Sequence, residues 1–504
     1  MKINKLSIRN FRCFEDLVVD FSPDHNLHVI IAPNMVGKSA LIKAVRIAAS
    51  SYLRKIIRGG ARNISNVDHR VIGNNPFTDI ARECSISTAA EVLNWNGRTW
   101  ETSTFEWRIY RENTINTKTK YESLTSNDLD NAVIRTYDRV IEKNEKYLPL
   151  LLYVGTEYIH QPHAQTDTLD LDGSAQQGYW YCFEEKSMEN YVFDWLKIMN
   201  DTLDEQKEKS NADILYGDLP KLFLECFEEI IKKIFPDEII GVQFLKKRVT
   251  SQTRPREANK EREIKVKNES IITFRFANDE VRTYEMLSDG YRYLVLLAGE
   301  IITRSLLLNK HLSTEVADIT NGIVLIDEFG IHLHPELQMS ALQRLKAAFP
   351  NIQFIISTHS PLLLNGLKKE QVHILEVDGN SQRIIRNASQ DVIGLGAEGI
   401  LKDIFGMTST LDDISRKWAQ DYRELFLKKT SMGLTEIESD EFKQLGENLS
   451  EISLSPEIDS VDIQDPLYQR FKMYINREKT LKGKNPSEIT EDEMEKIIKE
   501  IIKG

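Results

Sequence analysis

The chain has only four cysteines, Cys13, Cys84, Cys182 and Cys226, and no two lie at a short metal-ligand spacing. That argues against a cysteine metal site or a disulfide framework, and it predicts reduced thiols in a cytoplasmic protein. No apolar run approaches the roughly 18 to 20 residues of a membrane span, so no membrane partner is expected. Heptads never persist for the three or four repeats a long coiled coil needs, and no internal repeat of about 20 to 50 residues is visible. The opening MKINKLSIRN alternates polar and apolar residues, which predicts no signal peptide. Net charge is -12, so the molecule as a whole does not attract nucleic acid, and any such contact needs a local basic patch. What is present is 504 residues, 41 % of them hydrophobic, enough for one large core or a few modest ones.

Period-2 stretches, INKLSIRNFRCF and HVII, predict strands of a small N-terminal sheet. GKSALIKAVRIAASSYLRKII carries helical spacing, TWETSTFEWRIYRE alternates like an exposed antiparallel strand pair, and LPLLLYVGTEYI reads as a buried strand. Residues 186–235 read as amphipathic helix broken at NADILYGDLP. From Lys246 to Lys267, nine Lys/Arg stand against Glu257, Glu261 and Glu263, which predicts a strand, an exposed mobile loop and a second strand. LSDGYRYLVLLAGEII, GIVLIDEFG and NIQFIISTHSP then alternate helix and strand as in an α/β core. After about residue 400 the pattern turns helical through TLDDISRKWAQDYRELFLKK, followed by an acidic, poorly patterned stretch to about residue 465. The last segment has a capping box, Thr490 with Glu493, and an apolar face of Met494, Ile497, Ile498, Ile501 and Ile502.

Four motifs carry chemistry. In APNMVGKSA a strand runs into a loop and a helix, so backbone N–H groups and a helix N-terminus can face a phosphate. Lys38 would reach the β- and γ-oxygens, and the Ser39 hydroxyl would bind Mg²⁺. Gly37 closes the loop, Asn34 and Ala40 flank it, and Ala32 and Met35 stand where glycines are usual. If position 35 needs positive φ, a methionine there costs on the order of 1 to 2 kcal/mol. Alone, GKS can also be an incidental turn. Ile323–Ile326 run straight into Asp327 and Glu328, a buried strand ending in one carboxylate for a metal and one for a nucleophilic water. Asp-Glu is also common in exposed turns. FIISTHSP repeats the pattern and sets His359 at a strand end, where an imidazole can bond a γ-phosphate. Ser288 and Gly290 of LSDG precede an apolar helix and offer a second anion-facing N-terminus, although LSDG can also be a plain N-cap.

In this order the motifs resemble the ABC-type ATPase heads of the SMC/RecF/OLD group, most closely over residues 1–50 and about 270–410. LSIRNFRCFED is similar to the opening strands of that group, where an arginine, here Arg9 or Arg12, lies near the nucleotide. The resemblance implies an α/β head at 1–410 with a mixed β-sheet core, an N-terminal antiparallel sheet, a helical lobe and a central insertion at about 100–270. A helical C-terminal region, 411–504, follows as a possible partner-docking element. It also implies ATP with Mg²⁺, Lys38 and Ser39 on phosphate and metal, Asp327 as metal carboxylate, Glu328 as general base and His359 as switch histidine. Ser288 and Gly290 would close on the nucleotide of a second copy, giving a two-fold dimer or a higher homo-oligomer built from such dimers. Gln161, with Gln165 behind it, is the candidate for the glutamine that contacts Mg²⁺. His332 and His334 would belong to the loop after the Asp-Glu strand, or else be metal ligands.

OLD-type relatives usually carry a Toprim nuclease after the switch histidine, and no such Glu and Asp-x-Asp set is present here. His373 is the last histidine, so the tail holds no HNH nuclease either. IGLGAEGILKDIFGMTSTLDDISRKW resembles the Toprim-free ATPases of the PtuA type in Septu antiviral systems, whose partner is an HNH nuclease. That implies a slow, ATP-binding regulatory subunit controlling a nuclease. The alternative is a RecF-like repair ATPase holding DNA through residues 246–267. The acidic segment 434–465 and the last helix could dock a partner or pack on the chain's own core.

Overall fold

The computed structural model describes residues 1–114, 117–156, 175–185, 189–208, 219–252, 264–407, 411–431 and 433–451. The chain divides into two compact units, Met1–Gly406 and Met407–Gly504. Among the described residues fourteen strands, numbered along the chain, form three sheets in the first unit. The first sheet is antiparallel, in the order β2 (Phe14–Asp20), β1 (Lys2–Phe11), β4 (Glu83–Trp95), β5 (Trp100–Glu112), β6 (Lys120–Ser123). The second, also antiparallel, pairs β8 (Ile239–Gln252) with β9 (Ile264–Phe276) and β9 with β10 (Val281–Thr283). The third has the order β14 (Arg383–Asn387), β13 (Val372–Val377), β3 (Leu27–Ile31), β12 (Ile352–Ser357), β11 (Gly322–Ile326), β7 (Leu150–Val154). Its strands are parallel except for the antiparallel edge strand β14.

β3, β7, β11 and β12 are buried at every residue, the expected result when both faces of a parallel sheet are covered. Three readings need correction. HVII lies in β3 of the parallel sheet, not in the N-terminal sheet, because its continuous apolar run suits a strand covered on both faces. TWETSTFEWRIYRE falls in one long strand, β5, which pairs with β4 without a register shift from Glu83↔Glu112 to Trp95↔Trp100. The acidic stretch after residue 435 contains a helix, Glu436–Glu451. Thr435 and Glu438 form a capping box, and Tyr422 stacks on Phe442 at 4.4 Å. The loop expected between β8 and β9, Gln161, Gln165 and the final capping box lie outside the described residues.

Helices Glu189–Glu208, Leu219–Ile234 and Asp289–Leu308 pack together through Trp195 against Phe223, and Gly299 against Val192 and Phe227. β3 is tied to β13 by a fully buried histidine pair, His28 Nδ1 to His373 Nε2 at 3.1 Å, with Phe21 edge-on to both rings. His28 Nε2 donates to the His25 carbonyl, so Nδ1 is left as acceptor and His373 Nε2 must donate. Protonating His28 would set N–H against N–H.

Burial, and then the neighbouring imidazole, hold His28 at about 3; burial holds His373 at about 4 against its bond to Asn387. Lys2 and His25 also press on His28 electrostatically. Both folded values lie below the ordinary 6.5, so the unfolded chain binds more protons below that value and stability falls with pH from about 6.5 down to about 3. At pH 5 the fold is therefore expected to be less stable than at neutral pH. Melting temperatures at the two pH values check this, and the His28→Leu/His373→Leu variant should lose markedly less on acidification.

Candidate functional site

β3, β12 and β11 are neighbours and parallel, so the three motifs that follow them emerge at the same sheet edge. After β3 the loop Ala32–Gly37 leads into the helix Lys38–Ser50, with Gly37 as N-cap at φ 128. A Cβ on Gly37 would lie 2.5 Å from Cys13 Sγ and 2.9 Å from Phe14, so the β1–β2 turn packs onto the loop and only glycine fits. Met35 does adopt positive φ, 65°, with its side chain 96 % exposed, so the backbone strain expected from the sequence is present. Asn34 and Ser39 are exposed, and Ala40 is buried in the first turn.

Lys38 is buried and donates to the Ala32 carbonyl at 3.0 Å, while its Nζ lies 3.3 Å from His359 Nδ1. Burial lowers its proton affinity, opposed by Glu328 and Asp327. Burial, then Lys38, lowers that of His359 in the same way. One amine, one imidazole and two carboxylates therefore share one electrostatic site. An incoming phosphate can take Lys38 from the Ala32 carbonyl.

Asp327 is buried and accepts a hydrogen bond from Ser357 Oγ, the last residue of β12. The same hydroxyl accepts from the Glu328 backbone N–H at 2.8 Å. The Phe329 N–H donates to the Ser357 carbonyl at 2.9 Å, and Thr358 Oγ1 donates to the Phe329 carbonyl at 2.8 Å. These bonds hold Glu328 at φ 56, a conformation non-glycine residues rarely adopt. Ser357 was not singled out in the sequence. Its signal was its place two residues before the histidine, at the end of a strand adjacent to the Asp-Glu strand. Replacing Ser357 with Ala removes a bond to a charged group, about 1.5–3 kcal/mol, and should lower any nucleotide hydrolysis at this site about 10- to 100-fold. Steady-state kinetics should show the loss in kcat and not KM, with Ser357→Thr restoring most of it.

Arg12 lies in the β1–β2 turn beside the loop, but its Nε donates to Asp68 at 2.8 Å. Lys43 bonds the same oxygen at 2.7 Å. Burial works to raise the Asp68 value, and bonds from Lys43, Ser65 and Arg12 outweigh it and hold it at about 2. Arg9 pairs with Asp16 across the hairpin. Ser288 is the exposed N-cap of Asp289–Leu308, and a Cβ on Gly290 would stand 2.9 Å from the His332 carbonyl. His332 thus packs on that helix start, and His334 caps Pro335–Ala348 through Glu336 N–H, which leaves neither in a metal cluster among the described residues. A narrow cavity runs between Gly155, Thr156, Asp327, Glu328, Tyr293 and His332. The buried Asp327 carboxylate and the exposed Ser39 hydroxyl are hard oxygen donors of the kind Mg²⁺ prefers, so the residues fit that ion.

Among the described residues no helix is long and apolar enough to cross a membrane. Among curated proteins, the chain is 31 % identical over 233 residues to a Septu protein PtuA of Bacillus mycoides (strain KBAB4), covering 46 % of this chain and 30 % of that one. It is 30 % identical over 280 residues to the retron Vc95 probable ATPase of Vibrio cholerae serotype O1 biovar El Tor, covering 48 % of this chain and 51 % of that one. The chain spans about half or less of the length of these relatives. Among solved structures, the SMC head domain from Thermotoga maritima is 15 % identical, with 77 % of this chain and 99 % of that one covered at a TM-score of 0.39. The model for the AAA ATPase domain matches residues 1–364, with the phosphate loop, the Asp-Glu strand and His359 all inside the matched span, and the chain belongs to that family.

Proposed function

We propose that this chain is the ATP-binding and ATP-hydrolysing regulatory subunit of an antiphage defence complex. The observation that carries the ATPase part is the convergence of Lys38, Asp327, Glu328 and His359 where three adjacent parallel strands end. Lys38 and the loop amides hold the phosphates, and Ser39 and Asp327 hold Mg²⁺, which neutralises charge on the transferring phosphoryl group. Glu328 accepts the proton of the attacking water, and His359 bonds the γ-phosphate. Gln161 is the further metal contact in this reading. Arg12 acts through Asp68 and the turn that backs the loop. Ser288 and Gly290 face the nucleotide of a second copy, so the working unit is a two-fold ATP sandwich. The strain at Met35 suits slow turnover.

The names of the relatives, Septu PtuA and retron ATPases, support the defence role. The partner under control is an HNH nuclease held in check while ATP is bound. Co-purification from the native operon with and without Mg-ATP, reading complex mass and nuclease activity together, tests this. A complex of several heads with a small nuclease, cutting less in ATP, is expected; a nuclease indifferent to ATP overturns the regulatory role.

A second reading, a RecF-like DNA-binding ATPase, rests on Lys246, Lys247 and Arg248, exposed along β8. A lone dimer that binds duplex DNA only in ATP would favour it.

A further inference from the structure

The far end of the helix Lys38–Ser50 opens on a cleft that none of the assigned chemistry uses. From His25 to Val67 the chain has no Asp or Glu but seven Lys/Arg, in a protein of net charge -12. Lys38 belongs to the phosphate loop, and four of the others are paired: Lys43 with Asp68, Arg46 with Glu185, Arg54 with Asp130 and Arg62 with Glu184. Lys55 and Arg58 are exposed with no ion pair among the described residues. Arg58 stands on the rim of a cleft of about 280 Å³, whose walls include Gly59, Arg62, Trp180, Tyr181 and the Glu184 carboxylate that pairs with Arg62.

Two guanidiniums, one of them shared with Glu184, and one indole line this cleft. Gly59 at φ 78 turns the chain sharply, so Arg58 and Arg62 line one opening from either side of it. Arg62 gives Nη2 to Glu184 at 2.6 Å, but its Nε is buried without a partner. A guanidinium fork matches phosphate oxygens, and an indole offers a stacking face to a base of any identity. A 13-residue helix separates this cleft from the phosphate loop, about 20 Å of rise, so it is a separate site.

We propose that this cleft binds a nucleotide unit, its phosphate on Arg58 and Arg62 and its base against Trp180, supplied by single-stranded nucleic acid or by a free nucleotide. The proposal is independent of what Lys38 and Glu328 do.

The test uses the full chain in a Lys38→Ala background, so that labelled nucleotide does not report the phosphate loop. Two probes are titrated by fluorescence anisotropy, a labelled oligothymidylate and labelled AMP. Arg58→Glu should weaken binding at least tenfold and flatten its salt dependence, which for single strands falls with a slope of about -0.7 per phosphate contact. Trp180→Leu should weaken it, and Trp180→Phe should keep most of it. Preference for the oligonucleotide assigns a strand, and equal or better AMP binding assigns a free nucleotide. No binding of either probe by the Lys38→Ala chain overturns the proposal. So does binding that survives Arg58→Glu, including the case where Lys247→Glu/Arg248→Glu abolishes it instead.

Discussion

Replacing Glu328 with glutamine is expected to slow ATP turnover by about 10²- to 10⁴-fold while ATP binding persists, the loss typical of removing a general base. The substitution keeps the shape of the side chain and the backbone N–H bond to Ser357, so Asp327 and the loop should stay in place. What changes is the charge set against Lys38 and His359. A single-turnover assay separates the two effects, since ATP should be captured at an undiminished rate and then held. Under the sandwich reading, the same variant should accumulate as a dimer in ATP, visible by mass photometry. A glutamine variant with wild-type turnover would move the base to another group and sink the assignment. One that fails to bind ATP would show that Glu328 acts first on the phosphates.

The parts of this site that the sequence reveals are those whose chemistry is local. A strand, Gly37, Lys38 and Ser39 need only a helix N-terminus to make a phosphate loop, so eight consecutive residues suffice. Met35 stands out before any coordinates because it sits where a glycine is usual, and the penalty follows once φ there proves positive. Ser357 could not, since its role comes from a hydroxyl reaching across from β12 to the end of β11. The partner of Arg12 is hidden in the sequence for the same reason. Its carboxylate partner, Asp68, is more than fifty residues away and becomes buried only when the turn packs on the loop. The helix Glu436–Glu451 was hidden by its charge, though Thr435, Glu438, Phe442, Leu445 and Leu449 carry a capping box and an apolar stripe. The strong acidity of that stretch outweighed its period.

The second large effect concerns the helix that carries Ser288 and Gly290. In GEIITRSLLL, Glu300 and Arg304 stand four residues apart, a spacing that ordinarily marks an exposed ion pair of small value. Here the helix is enclosed on all sides from Tyr293 to Leu308, and the pair is buried with it. Arg304 gives Nε and Nη2 to one Glu300 oxygen at 2.9 and 2.7 Å, and Nη1 to the carbonyls of Gly178 and Trp180 at 2.9 Å each. It therefore fastens the helix to the turn at Ala175–Tyr179 as well as neutralising a carboxylate. Arg304→Met is expected to cost about 3–5 kcal/mol, because it strands a buried charge. Adding Glu300→Leu should recover much of that loss, since removing both charges spares their desolvation. Denaturant melts of the two variants decide where the energy resides. If the double variant is as unstable as the single one, the cost lies in the two orphaned carbonyls, and the turn rather than the ion pair is what Arg304 secures.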